Sequence, residues 1–134
     1  MIVTDTSVWV DYLNDVWTPQ SKELRRLLQA NEAVCLTELV LTEILQGYRR
    51  EEEAAHVGGI LLSFPILGLE GPDDYLAAAG MYRKARSAGI TLRSLVDILI
   101  AVPCIRHEAL LLHNDRDFDQ LAKVSDLKVW QPAS

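Results

Sequence analysis

Five apolar runs, each only three or four residues long, alternate along this chain with longer stretches whose apolar residues recur at helical spacing. The runs lie at 2–4, 33–36, 64–67, 110–112 and 127–129. Strands so short and so uniformly apolar imply a parallel sheet covered by helices on both faces. The expected helices lie between them. Segment 18–30 opens on Thr18-Pro19, a cap followed by a first-turn proline, and carries a stripe of Leu24, Leu27 and Leu28. Segment 37–48 keeps helical spacing until Gly47, and segment 51–62 has Gly58-Gly59 as its weak point. Segment 72–88 begins with Pro72, Asp73 and Asp74 and stops before Gly89. Segments 94–107 and 115–123 complete the set, with Pro103 expected to kink or shorten the former. No repeat, low-complexity tract or linker divides the chain. One α/β domain over 1–134 is expected, large enough to bury a core.

Composition removes several function classes. Hydrophobic residues make up 49% and mean hydropathy is +0.08, which excludes a disordered chain. No apolar run approaches a membrane span, and no basic leader precedes the first strand, so neither a membrane anchor nor a signal peptide is expected. Cys35 and Cys104 sit in apolar surroundings without metal-ligand spacing. Two buried free thiols and a cytoplasmic location follow as expectations. The net charge of −6 argues against a nonspecific nucleic-acid coat protein. Within that acidic chain, MYRKARSAGITLR (81–93) carries Arg83, Lys84, Arg86 and Arg93 with no acid. These four are candidate phosphate contacts, weighed against an ordinary solvated helix face.

Most of the nineteen acids need no explanation. Glu51, Glu52 and Glu53 suit a solvated helix start, Asp73 and Asp74 a first turn, and Glu38 likewise. Four others are out of place. Asp5 ends an apolar strand in MIVTDTSVWVDYL, where it reads either as a helix cap or as a metal-site carboxylate. Asp97 lies in SLVDILIAV, where a carboxylate must be paired, capping or metal-bound, and Arg93 is one turn away as a partner. Glu43 emerges from an apolar face in LVLTEILQG. Asp115, followed by Asp117, starts a helix in LLLHNDRDFDQL, where capping alone would account for it. His113 has no second histidine at ligand spacing and is assigned no chemistry. In a parallel α/β sheet the acids after the strands collect beyond one edge, where ligands bind. Crowded carboxylates with no Cys/His cluster nearby call for a hard divalent ion, Mg²⁺ or Mn²⁺.

Taken in order, IVTDTSVWVDYL, LVLTEILQG, RSLVDILIA and LLHNDRDF resemble the four motifs of the PIN-domain ribonucleases, and among them the VapC-type toxins of bacterial toxin–antitoxin pairs. Each motif is weak alone, but the set spans essentially the whole chain. The resemblance implies a five-stranded parallel sheet in order 3-2-1-4-5. It also implies metal-dependent hydrolysis of RNA that leaves a 5′-phosphate and a 3′-hydroxyl. Asp5, Glu43, Asp97 and Asp115 carry over as metal-binding and catalytic acids. Asp117 is a neighbouring acid of open role, and Thr6 and Ser7 match supporting positions. A VapB-type antitoxin and a second copy of the chain are the implied partners, beside RNA. A haloacid-dehalogenase-type phosphatase is disfavoured because position 7 is serine where that chemistry wants a second aspartate. The alternative from another class is a catalytically silent PIN-like module that binds RNA or protein. It predicts missing acids, and none of the four is missing.

Overall fold

The computed structural model describes residues 1–132, so the last two positions of the expected domain lie outside the described residues. Five strands and seven helices alternate through them. The strands are β1 (Ile2–Thr4), β2 (Val34–Thr37), β3 (Ile66–Leu67), β4 (Leu110–Leu112) and β5 (Lys128–Val129). They form one sheet in order β3-β2-β1-β4-β5, every pairing parallel, as expected. β1 is the axis: Ile2 is in register with Val34 on one side and with Leu110 on the other. Its three residues are all buried, as are the four of β2, which is why these runs show no polar alternation.

The helices are α1 (Thr6–Leu13), α2 (Pro19–Gln29), α3 (Glu38–Gln46), α4 (Glu51–Leu61), α5 (Pro72–Ser87), α6 (Leu95–Arg106) and α7 (Arg116–Ala122). Thr18 and Ser21 form a reciprocal capping box at the start of α2, and Thr37 caps α3 by accepting from the Val40 amide. Gly89, at φ +75°, follows the C-cap of α5. The core runs through the sheet and both helical layers, with Val3, Trp9, Leu36, Ile98, Leu111 and Phe118 among its fully enclosed side chains.

Two expectations about helices need correction. α4 is unbroken across Gly58-Gly59; Gly58 is buried, and a Cβ added there would meet Leu45 of α3 at 3.5 Å, an ordinary contact, so packing on α3 holds the helix through this pair. Pro103 does not shorten α6, which continues to Arg106 and is capped by His107. Burial of Ile98, Ile100, Ala101, Val102 and Cys104 offsets the one backbone hydrogen bond that the proline deletes. Both cysteines are buried free thiols, and burial pushes Cys35 up to about 11. No helix of the described residues is long and apolar enough to cross a membrane.

Asp74 was expected to be an ordinary first-turn acid. Instead it is buried, accepts from the Glu70 amide at 2.6 Å and receives the Arg106 guanidinium, which ties the start of α5 to the end of α6. Removing the cation strands a charge that is 2% exposed. Arg106→Ala should therefore lower unfolding free energy by roughly 3 kcal/mol in urea titration, because an unpaired buried carboxylate is left behind. Asp74→Asn with Arg106→Ala should cost less than Arg106→Ala alone.

Candidate active site at the carboxyl edge of the sheet

The acids that fit badly in the sequence converge where β1 and β4 end. Asp5 follows β1, and its amide bonds the Leu112 carbonyl of β4 at 2.9 Å, so the two strand ends share one edge. Asp5 occupies the N-cap position of α1 with extended backbone, yet its side chain makes no capping hydrogen bond. It is 6% exposed and accepts a 3.3 Å hydrogen bond from Ser7 Oγ. Burial drives its carboxyl up to about 6; the Thr6 amide opposes the shift and the Glu43 carboxylate adds to it. Glu43, half-buried on α3, accepts a 2.6 Å hydrogen bond from Thr6 Oγ1. Adjacent hydroxyls on the first turn of α1 thus hold two acids from different elements.

Asp97 stands in the first turn of α6 without either of its ordinary explanations. Ser94 caps that helix through the Val96 amide, and Arg93 turns to other acids. Asp97 makes no hydrogen bond or ion pair among the described residues, and it is half-buried. Burial first, then the charges of Asp115, Asp5, Asp117 and Glu43, raise it to about 7. A group that feels four other carboxylates in this way lies at the centre of the cluster.

Asp115 does cap α7, its Oδ1 accepting from the Asp117 amide at 2.9 Å, and it serves the site as well. Arg93 bridges the pair: one terminal nitrogen donates to Asp115 Oδ1 at 2.8 Å, and Nε donates to Asp117 Oδ2 at 3.0 Å. Asp117, 5% exposed, also accepts from the Arg93 backbone amide at 3.3 Å. Ligand oxygens of Asp97, Asp115 and Asp117 lie within 4.8 Å of one another. Asp117, whose role the sequence left open, is therefore in the closest group, while Asp5 and Glu43 extend it towards α1 and α3. An all-carboxylate set of this density, with a guanidinium already drawn onto two of its members, fits a hard divalent cation.

Sequence reading missed two residues. His113 is buried, and its Nδ1 accepts the Asp115 amide at 3.0 Å, fixing the turn that presents Asp115 and Asp117. Burial lowers its pKa, in keeping with an unprotonated acceptor nitrogen. Its position two residues before Asp115 was the available signal. Arg116 is exposed and lines a groove of about 440 Å³ with Arg93, Asp117, Thr91 and Gln120. Of the four basic candidates in 81–93, Arg93 alone pairs with site acids. Arg83, Lys84 and Arg86 are exposed on α5; Arg86 lies over the Tyr82 ring at 5.8 Å, and Lys84 lines a different hollow with Ile105 and Asp126.

Asp5 and Asp97 bind protons more tightly in the fold than in an unfolded chain, where aspartate titrates at about 3.9. Between about pH 4 and 7 these two acids hold more protons in the metal-free fold than in the unfolded chain, so their contribution to stability falls as pH rises through that window. His113, held neutral by burial, works in the opposite direction below about pH 6.5. The difference between wild type and Asp97→Asn isolates the acid. Melting temperatures in EDTA should fall more steeply with pH for wild type than for Asp97→Asn, and parallel curves would refute the crowding.

Comparison with known proteins fits this geometry. The PIN-domain family model matches residues 2–124. Ribonuclease VapC11 of Mycobacterium tuberculosis and a VapC ribonuclease of Mycobacterium bovis are each 39% identical over 129 residues, covering 96% of this chain and 96% of either relative. Among solved structures, the fold is similar to FitAcB of Neisseria gonorrhoeae, with a TM-score of 0.75 at 20% identity over 98% of both chains. It is also similar to VapBC2 of Rickettsia felis bound to promoter DNA, with a TM-score of 0.74 at 20% identity over 98% of this chain and 100% of that one. With its sheet order, its acid cluster and these matches in agreement, the chain belongs to the PIN-domain family.

Proposed function

We propose that this protein is a divalent-metal-dependent endoribonuclease and the toxin of a toxin–antitoxin pair. The observation that carries the reading is the group formed by Asp97, Asp115 and Asp117, extended by Asp5 and Glu43, in a chain 39% identical to proteins named VapC ribonucleases. Asp97, Asp115 and Asp117, with Asp5 and Glu43 beside them, would hold the ion, Mg²⁺ or Mn²⁺. Such an ion supplies an activated water and charge neutralisation at the scissile phosphate. The chain's own residues do the positioning: Thr6 and Ser7 fix Glu43 and Asp5, His113 fixes the β4–α7 turn, and Arg93 holds one oxygen each of Asp115 and Asp117. Arg116 and Arg93, beside the acids, supply positive charge to a phosphodiester backbone in an otherwise acidic protein.

The partner reading follows the same electrostatics. A VapB-type antitoxin would place a cationic side chain among the acids, as Arg93 does from within. The apolar Tyr75, Leu76 and Tyr82, exposed on α5, support a homodimer. Buried reduced thiols support a cytoplasmic location.

Cleavage of RNA by purified protein should stop in EDTA, return with Mg²⁺ or Mn²⁺, and leave 5′-phosphate ends that accept ligation. Undiminished cleavage by chelated protein would refute the reading. Asp5→Asn separates capping from catalysis, because asparagine caps about as well as aspartate. Activity should drop by roughly 100-fold or more, beyond what supporting residues of a metal site cost. Mg²⁺ should also raise the melting temperature of the variant less than that of wild type, since stabilisation follows affinity for the folded state.

A further inference from the structure

The solvent face of α2 is basic in an acidic protein. Lys22, Arg25, Arg26 and Gln29 are all exposed at one-turn spacing. With Trp17 they line a hollow of about 600 Å³ that includes none of the site carboxylates. Trp17 is 41% exposed. A lone exposed aromatic is ordinary, but this one is braced. Its ring meets Tyr12 edge-on at 6.1 Å, Tyr12 meets Trp9 at 6.1 Å, and Trp9, 1% exposed, packs on Phe64 at 5.3 Å. An aromatic ladder thus runs from the core to the surface and ends in an indole beside a capped helix start. Arg25 lies over that indole at 5.4 Å from the ring centroid. Arg26 is neutralised by the buried Glu23, whereas Lys22 and Arg25 form no ion pair among the described residues.

We infer that this face is an accessory contact surface for single-stranded RNA: an unpaired base stacks with Trp17, and neighbouring phosphates sit on Lys22 and Arg25. A fixed aromatic with adjacent unpaired cations is the chemistry that binds single strands with little regard to sequence. A base in a duplex cannot offer its face, so the surface selects loops and unpaired flanks. Bracing from the core means little side-chain freedom is lost on binding. The inference rests on the ribonuclease reading and adds what the enzyme recognises outside the carboxylate edge.

The test uses full-length protein carrying Asp97→Asn, in EDTA, so that binding is read without cleavage. A labelled short oligouridylate is followed by fluorescence anisotropy across a salt series. Adding Trp17→Ala should weaken binding by about 5- to 150-fold, the effect of one lost stack. Trp17→Phe, which keeps a ring, should retain most of the affinity. Lys22→Ala with Arg25→Ala should flatten the log–log salt slope by about 1.4, the release expected for two phosphate contacts on a single strand. Duplex RNA of the same length should bind more weakly and ignore Trp17→Ala. Unchanged affinity and slope in both variants would overturn the inference. So would a short polyglutamate peptide that binds this face more tightly than the RNA does, since the surface would then serve an acidic protein segment. Cleavage by wild type in Mg²⁺ is scored separately: RNA binding through Trp17 in a protein that never cuts would sink the enzyme reading and leave this one standing.

Discussion

Repulsion among carboxylates at the carboxyl edge of the sheet is the constraint on which the rest of this structure depends. Five acids carried by four helices face one another there, and burial weakens the solvent that would otherwise screen them. The fold tolerates this by distributing donors. Hydroxyls of Thr6 and Ser7 donate to Glu43 and Asp5, the Asp117 amide donates to Asp115, and the Arg93 guanidinium donates to both Asp115 and Asp117. Asp97 is left without any donor among the described residues, and its carboxyl stands among the charges of the other four acids.

Backbone economy makes the crowding possible. β1 and β2 run into α1 and α3 with at most one residue between, and three residues join β4 to α7. Asp5 and Asp115 are both N-cap residues, a position that any α/β chain of this kind must fill. The two use it differently. Asp115 caps with one oxygen, whereas Asp5 makes no side-chain capping hydrogen bond and accepts from Ser7 Oγ, with the Glu43 carboxylate repelling it. A helix that forgoes a capping bond at its first turn forfeits on the order of 1 kcal/mol, and the residue that forgoes it is the most deeply buried acid of the group after Asp117.

Much of this was legible in the sequence because the signals were local. Apolar runs without alternation gave a parallel sheet, and Asp97 and Glu43 stood out because their neighbours were apolar. Strand ends were less legible: Thr37, read as the start of a helix, closes β2 and caps α3 at once, and β3 proved only two residues long. Pairings between distant segments left no local trace. Nothing near Asp74 announced Arg106, and nothing near Arg93 announced that it would leave Asp97, one turn away, for two acids on α7. Glycine and proline misled for a physical reason: their penalties are intrinsic to an isolated helix, while α4 and α6 are held by packing that those penalties do not outweigh.

β1, first in the chain and central in the sheet, has one further consequence. It pairs with β2 soon after, but its other neighbour, β4, arrives only when Leu110 does. Asp5 therefore emerges from the ribosome almost a full chain length before Asp115 and Asp117, and contacts of such sequence separation form late. A nascent chain that has not yet reached Asp97 carries only Asp5 and Glu43 of the acid cluster and none of its closest group. Synthesis itself acts as a timer: the centre cannot assemble until Asp115 and Asp117 have been made.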